Sequence, residues 1–529
     1  MASKTKWITM RFGGGWATDF GPRAYNAPDA AMNYTIPWLN DAFDVVYEFD
    51  GGPHKCPGTA ALNSTTLGGS SSVRGVFDYW RQGTGGAPSQ RIVAHVDTRV
   101  LDVTGGSTTV LATGLSDSGI PHYDTFDDFL IIGSDSSSDV PRSWDQTTFQ
   151  NLAGSPPRFS FSTNWKSRQF AAGVYTAPST LYYSPSADPE DWTGAGSGSI
   201  TVSPNDGDMI VGIISHKNEL IIFKGPYKGS IHRLQGSTPS DFAVVPFIKG
   251  IPAVWQNSIF RFGDDVGWLS PFGTVHSLNA TDKFGNYVQS YLTYPIGSHV
   301  RENMNHGRLR QAWAVDVPNR GYVLITYPDA GQTNNNRCLM MDYRWLPQGE
   351  PFPRWAMWKS FQFASLGLVV DASNRQRLFG GDYSGFVYKT DQPTRTHASA
   401  AITATVTTPS LTFGDELTMK TLERAAVGVR PYNNNSLAFR WQRDNQTQQS
   451  YSGLTQGGGD VLGSAASNQF TLDTSQLAGA NFIPRFMELE EGGEFRAVSF
   501  QVEDSTNNSD LELHTIGAGV SVGAASTEN

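Results

Sequence analysis

The carboxylates Asp124, Asp127 and Asp128, and the pair Asp264 and Asp265, come nearest to the two facing carboxyl groups that glycoside hydrolysis requires. Each group lies beside Gly or Phe among β-like runs, where aspartates close turns by hydrogen-bonding nearby backbone, so turn roles are expected for all five. No repeated Ser-x-Asp-x-Gly-x-x-Trp turn of the sialidase kind occurs. A nucleophile elbow needs Gly-x-Ser-x-Gly between a strand and a helix. Around Ser197 the flanking positions are Ala195 and Ser199, and the one true match, Gly519-Val520-Ser521-Val522-Gly523, has no room after it for a helix, an Asp and a His. It reads as a strand running into a tail.

Metal and phosphate chemistry are equally thin. The ten histidines stand apart, with no His-x-His or His-x-x-x-His pair, and His54-x-Cys56 is one fragment of a site. The run Ser134 to Asp139 offers calcium-type oxygens without the closing Glu. No Gly-x-x-x-x-Gly-Lys loop is present, and Gly225 to Gly229 reads as a turn. Arg301, His306, Arg308 and Arg310 make a local positive stretch, read as a polar loop face, with a phosphate backbone or an acidic neighbour as the alternative. No catalytic, cofactor-binding or metal-ligating residue is therefore expected, and the chain is not expected to be an enzyme.

The elements that would position any such groups follow from composition and periodicity. The chain has 529 residues, enough for two or three cores. Its 39 Lys and Arg against 49 Asp and Glu give a net charge of −10, the wrong sign for a dedicated phosphate-backbone binder. Low charge (17%), 12% aromatics, 55 Gly and 29 Pro point to a turn-rich all-β protein. Two cysteines, Cys56 and Cys338, exclude a disulfide framework. No apolar leader core or stretch of 18 apolar residues is seen, so a reducing cytoplasm and no membrane span are expected. Sequons at Asn33, Asn63 and Asn279 are read as chance.

Residues 1–72 read as an irregular N-terminal arm with a closing strand. Strands are expected at Trp7 to Phe12 and Val45 to Phe49, a short helix within Pro28 to Leu39, and a Ser/Gly/Thr loop at Asn63 to Ser72. From Val73 short β-rich runs recur with turns between them, grouped near 73–115, 117–155, 158–203, 206–247, 250–300, 305–358 and 361–392. Units of this length predict a β-propeller over 73–396, of six to eight blades with seven favoured; a series of sandwiches is the alternative. Residues 397–529, with strands such as Leu422 to Arg430, Phe470 to Asp473 and Leu511 to Ser521, predict a C-terminal β-sandwich-like domain. The pieces Asn433 to Asn435 and Gly457 to Gly459 read as turns, and Ala524 to Asn529 as a disordered tail.

Several stretches, in order, resemble the propeller-bearing nozzle or tail-hub proteins of short-tailed bacteriophages. They are FGGGWATDFGPRAYNAPDAAMNYTIPW from Phe12 to Trp38, and Gly51-Gly52 followed by Lys55-Cys56-Pro57-Gly58, where Cys56 replaces the usual Arg. LYYSPSADPEDW from Leu181 to Trp192 is similar to a blade segment, as are Glu219 to Gly225 and Phe262 to Leu278. Thr421 to Arg424 and Phe495 to Val502 resemble strands of the family's C-terminal β domain. The resemblance implies a structural virion protein made in the host bacterial cytoplasm. It would form a homo-oligomeric ring, six-fold in the family, contacting the adaptor or head-tail connector, tail fibre or needle proteins and, transiently, genomic DNA during ejection. A glycan- or receptor-binding tail propeller, using exposed Trp and Tyr, and a cellular propeller scaffold are the alternative readings.

Overall fold

β-Branched and aromatic residues at period two become strands, and the chain reverses between them where Asp, Asn, Ser or Gly adopt left-handed backbone, as at Asp127, Asp128 and Gly263. The computed structural model describes residues 6–19, 33–36, 38–48, 51–83, 86–280, 291–371, 373–414, 416–430, 436–451, 453–454, 483–489 and 492–522. The Phe470 to Asp473 strand, the two expected turns at 433–435 and 457–459 and the tail from Ala524 lie outside the described residues, as does much of Pro28 to Leu39. Within that last segment Asn33–Ile36 is a strand parallel to Lys6–Phe12 where a helix was expected, because pairing with a formed strand outweighs weak local helical preference.

The chain divides into two compact units, 60–338 with 361–391, and 1–59 with 339–360 and 392–529. The first is a β-propeller. Antiparallel sheets succeed one another along it, each starting from an inner strand: Val73–Arg81, Pro121–Phe126, Phe161–Trp165, Met209–His216, Ile259–Phe262, Ala314–Val317 and Ser365–Val370. Five of these sheets have four strands; the fifth in order, Ile259–Phe262 to Val275–Ser277, has three. The inner strands neighbour one another in turn, the fourth reaching the fifth at Gly212 and Ile259, and the last meets the first. Gln256 bridges the fourth and fifth sheets, its amide bonded to both the N–H (2.7 Å) and the C=O (3.0 Å) of Ile213.

The apolar faces pack sheet against sheet. Val73, Val76, Ile92 and Ala94 of the first sheet meet Val369, Phe379 and Val387 of the last, while Tyr79 and Val93 meet Leu130, Ile132 and Trp144 of the second. Gly367 belongs to this contact, since a Cβ there would stand 2.3 Å from the Val76 carbonyl. Closure comes from upstream. Gly58–Ala61 completes the sheet that begins at Ser365, Leu62 N–H donates to Val387 O (2.7 Å) and Leu67 N–H to Gly385 O (2.8 Å). Asn63 is buried here, accepting from Val387 N–H and donating to Gly385 O, so this sequon is occupied by structure.

Among the described residues the second unit has two large sheets, beside the two-stranded pairs Val45–Tyr47 with Pro53–Lys55 and Thr396–His397 with Ala400–Ala401. One runs Asn33–Ile36, Lys6–Phe12, Leu513–Val522, Lys420–Val429 and Ile483–Glu488. The other includes Asp41–Phe43, Ala404–Thr407, Val498–Asp504, Ala438–Arg443 and Gln449–Tyr451. Val498, Phe500, Val502 and Asp504 alternate inward along one strand. This division differs from consecutive segments 1–72, 73–396 and 397–529. The N-terminal arm is not irregular: Lys6 to Arg11 pairs antiparallel with Thr515 to Val520, and Asp41 to Phe43 with Thr405 to Thr407. Both C-terminal sheets take strands from the start of the chain, because each has an edge whose backbone groups need partners.

Candidate functional site on the propeller axis

Because the inner strands stand round a common axis, their side chains line a cavity of about 410 Å³. Phe77, His122, Tyr123, Phe260, Arg261, Trp313 and Asp316 contribute to its wall. Phe77 stacks on Tyr123 with ring centroids 5.4 Å apart. The Tyr123 hydroxyl and His122 Nδ1 are buried with no hydrogen-bond partner among the described residues. Burial pushes the His122 imidazole down to about 4, so it is neutral at pH 7, and pushes the Tyr123 phenol up. The cavity thus combines aromatic faces and the neutral polar groups of His122 and Tyr123 with one cationic and one anionic side chain, Arg261 and Asp316.

The acidic residues singled out in the sequence disperse. Asp127 and Asp128 form a hairpin turn with φ of 50° and 64°, and Asp128 accepts from the N–H groups of Gln82 and Gly83. Asp264 follows Gly263 in the turn of a later hairpin, and Asp265 opens the returning strand, where it accepts from Val266 N–H, Asn279 N–H and the Ser277 hydroxyl. Asp124 departs from the turn expectation. It lies within a strand, accepts from Gln169 Nε2 (2.8 Å), and burial raises its carboxyl to about 7 despite that bond.

The calcium-like run is spent on its own loops: Asp135 accepts from Ile120 N–H and pairs with Arg310, and Asp139 accepts from Ser116 N–H. Among the described residues no group of three His, Cys, Asp or Glu is placed to hold a metal ion. Gly225 to Gly229 is a turn whose N–H groups at Tyr227, Lys228 and Gly229 bind the Asp208 carboxylate. Ser521 lies within the strand Leu513–Val522, and Cys56 and Cys338 are buried free thiols. The positive stretch separates. Arg301 pairs with Glu302 and the His306 ring faces the carbonyls of Pro271 and Arg301, whereas Arg308 and Arg310 reach a second cavity in the propeller.

The most concentrated polar cluster lies in the other unit and had no signal beyond His54 itself. His54 Nδ1 meets Glu48 Oε1 and Nε2 meets Asp510 Oδ1, both at 2.8 Å, and Arg395 binds Asp510 Oδ2 at 2.6 Å. Burial opposes charging of the ring. The bonds to Asp510 and Glu48 outweigh it against some opposition from Arg395, and hold the imidazolium up to about 9. Since the folded value lies above the unfolded value of about 6.5, this stabilisation is full below pH 6.5 and lost as pH rises through 9; it amounts to about 3 kcal/mol. Imidazole NMR of the folded protein should therefore give a His54 midpoint near 9, and urea stability should fall between pH 6.5 and 9.5. A midpoint near 6.5, or the same fall in His54→Gln, would refute this.

No family model matches the sequence, and no curated protein matches it. Among solved structures, the chain is similar to a computationally designed protein, Ika8, with 11% identity, TM-score 0.32, and coverage of 62% of this chain and 99% of that one. It is also similar to YCF48 bound to a D1 peptide, with 9% identity, TM-score 0.38, and coverage of 62% and 95%.

Proposed function

We propose that the chain is a structural virion protein: a tail nozzle or hub subunit that assembles as a homo-oligomeric ring and extends the DNA-ejection channel below the portal and adaptor. The observation that carries this reading is where the residues of the resemblance fall, which is on joints of the fold. Gly15 allows an approach in which a Cβ would stand 2.5 Å from Trp355 N, and Trp16 N–H donates to Trp355 O. Lys55 is fully buried on Asp504. Trp192 of the Asp-Pro-x-x-Trp segment is buried and donates from Nε1 to Pro189 O (2.9 Å), packing on Phe159.

Net charge supports the role. A ring of six would carry about −60, which repels a phosphate backbone and lets DNA pass without ion pairs to break. Exposed apolar side chains are available for the two unlike patches that a closed ring requires, Tyr175 and Tyr227 on the propeller and Leu417 and Phe486 on the other unit. The partners in this reading are further copies of the chain, the adaptor, fibre or needle proteins, and DNA in transit; the location is the virion tail. Among the described residues no helix is long and apolar enough to cross a membrane.

Negative-stain microscopy and mass photometry of the purified protein should give rings with a central hole, alone or on addition of tail components. A monomer under both conditions would overturn the proposal. The aromatic axial cavity favours a second reading, a glycan-binding tail propeller, and a monomer that retains glycans on an array would establish it.

A further inference from the structure

The propeller carries a second axial cavity, of about 590 Å³, at the start of the inner strands. Arg74, Arg308 and Arg310 line it together with Ser72, Ser118 and Asn334, and no acidic side chain is in its wall. The charged side chains of the wall are thus all positive, in a chain of net charge −10. The three guanidinium groups differ in what they already hold. Arg310 is half-exposed, ion-paired with Asp135 at 3.1 Å and stacked 3.9 Å over Trp255, which fixes its plane. Arg74 donates to the carbonyls of Gly119, Ser116 and Asp97, while its Nε–H is buried without an acceptor among the described residues; Asp97, Asp117 and Asp139 lie within its field. Arg308 is exposed, and its side chain has no hydrogen bond or ion pair among the described residues.

A planar five-donor fork with nothing to bind, beside a second fork held in place and a buried orphan N–H, suits oxygen anions. We propose that this mouth is a binding site for a small ligand with more than one oxyanion group, phosphate or carboxylate. A double helix cannot enter a cavity of this volume, so the site is separate from any DNA path and independent of the nozzle reading. The oxyanions would come either from a free phosphate compound or from an acidic chain segment. The deeper aromatic cavity shares Trp313 with this one and so continues the same axis.

Calorimetric titration of the full chain with pyrophosphate and, separately, with a tetraglutamate peptide tests the proposal. At least one probe should bind, and more weakly at high salt; the tighter probe identifies the source of the anion. Arg308→Glu should weaken that binding by at least about tenfold, the effect of losing a charge-assisted hydrogen bond. Because the Arg308 side chain is exposed and makes no hydrogen bond or ion pair among the described residues, the variant tests binding without testing folding. Arg301→Glu makes the same charge change at an exposed site outside the cavity and should leave binding unchanged. Failure of both probes to bind at millimolar concentration, or equal weakening by the two variants, would overturn the proposal.

Discussion

Lys55→Met should lower stability by about 3–5 kcal/mol, and adding Asp504→Leu should restore most of the loss. Both side chains of this pair are fully buried, with Nζ 3.2 Å from Asp504 Oδ2 and from the Thr506 carbonyl. The Asp504 carboxylate has one further donor, Thr506 N–H at 2.9 Å. Removing the ammonium alone therefore strands a charge in an apolar surround, whereas removing both replaces an ion pair by packing. Hydrogen exchange of Val498–Asp504 and Ala404–Thr407 reads the effect locally, which matters in a chain of two units that need not unfold together. If the single variant exchanges like the parent, or the double variant is worse than the single, the account of the pair is wrong.

Lys224→Met should have a comparable effect in the propeller, again about 3–5 kcal/mol, by leaving several acceptors without a donor. The Lys224 side chain is fully buried, and its Nζ donates to Asp206 Oδ2 and Ser203 O, each at 2.7 Å, to Val202 O at 3.1 Å and to Ser179 Oγ at 3.3 Å. One ammonium thus ties the end of the third sheet to the second strand of the fourth. Arginine is not a substitute, because a planar fork cannot reach four acceptors arranged round a point. Calorimetric scanning should show the propeller transition shifted down by several degrees in both Lys224→Met and Lys224→Arg. An unchanged transition would mean that these acceptors are satisfied without the lysine.

Local pattern reveals strands in this protein and hides their long-range partners. Met209 to Ser215 and Glu219 to Lys224 alternate or run apolar between turn residues, and both are strands over nearly those bounds. The same periodicity says nothing about which distant strand completes a sheet, so the pairing of Lys6 to Arg11 with Thr515 to Val520 had no visible sign. Lys224 read as an ordinary polar residue at a strand end and Lys55 as part of a short motif, and only the fold brings Asp206 and Asp504 to them. Arg308 and Arg310 were legible as a positive stretch, but Arg74 joins them from another sheet, and pairing removes Arg301 from the group. Turn chemistry is local, so Asp127, Asp128 and Asp264 were readable, whereas Asp265 is a strand residue bonded to Ser277 and Asn279, and Asp124 is buried beside Gln169 across a sheet boundary.

The interlacing of early and late strands has a consequence for biosynthesis. At about 5–20 residues per second, a ribosome delivers Val520 roughly half a minute to two minutes after Lys6, its partner in the ladder. Through that interval the nascent strand Lys6–Phe12 has emerged without its mate, while the propeller sheets can form one by one behind it. A premature stop anywhere before Leu513 would release a polypeptide whose strand Lys6–Phe12 keeps a bare, sticky edge, so faithful synthesis of Leu513–Val522 guards against aggregation through a strand made about 500 residues earlier.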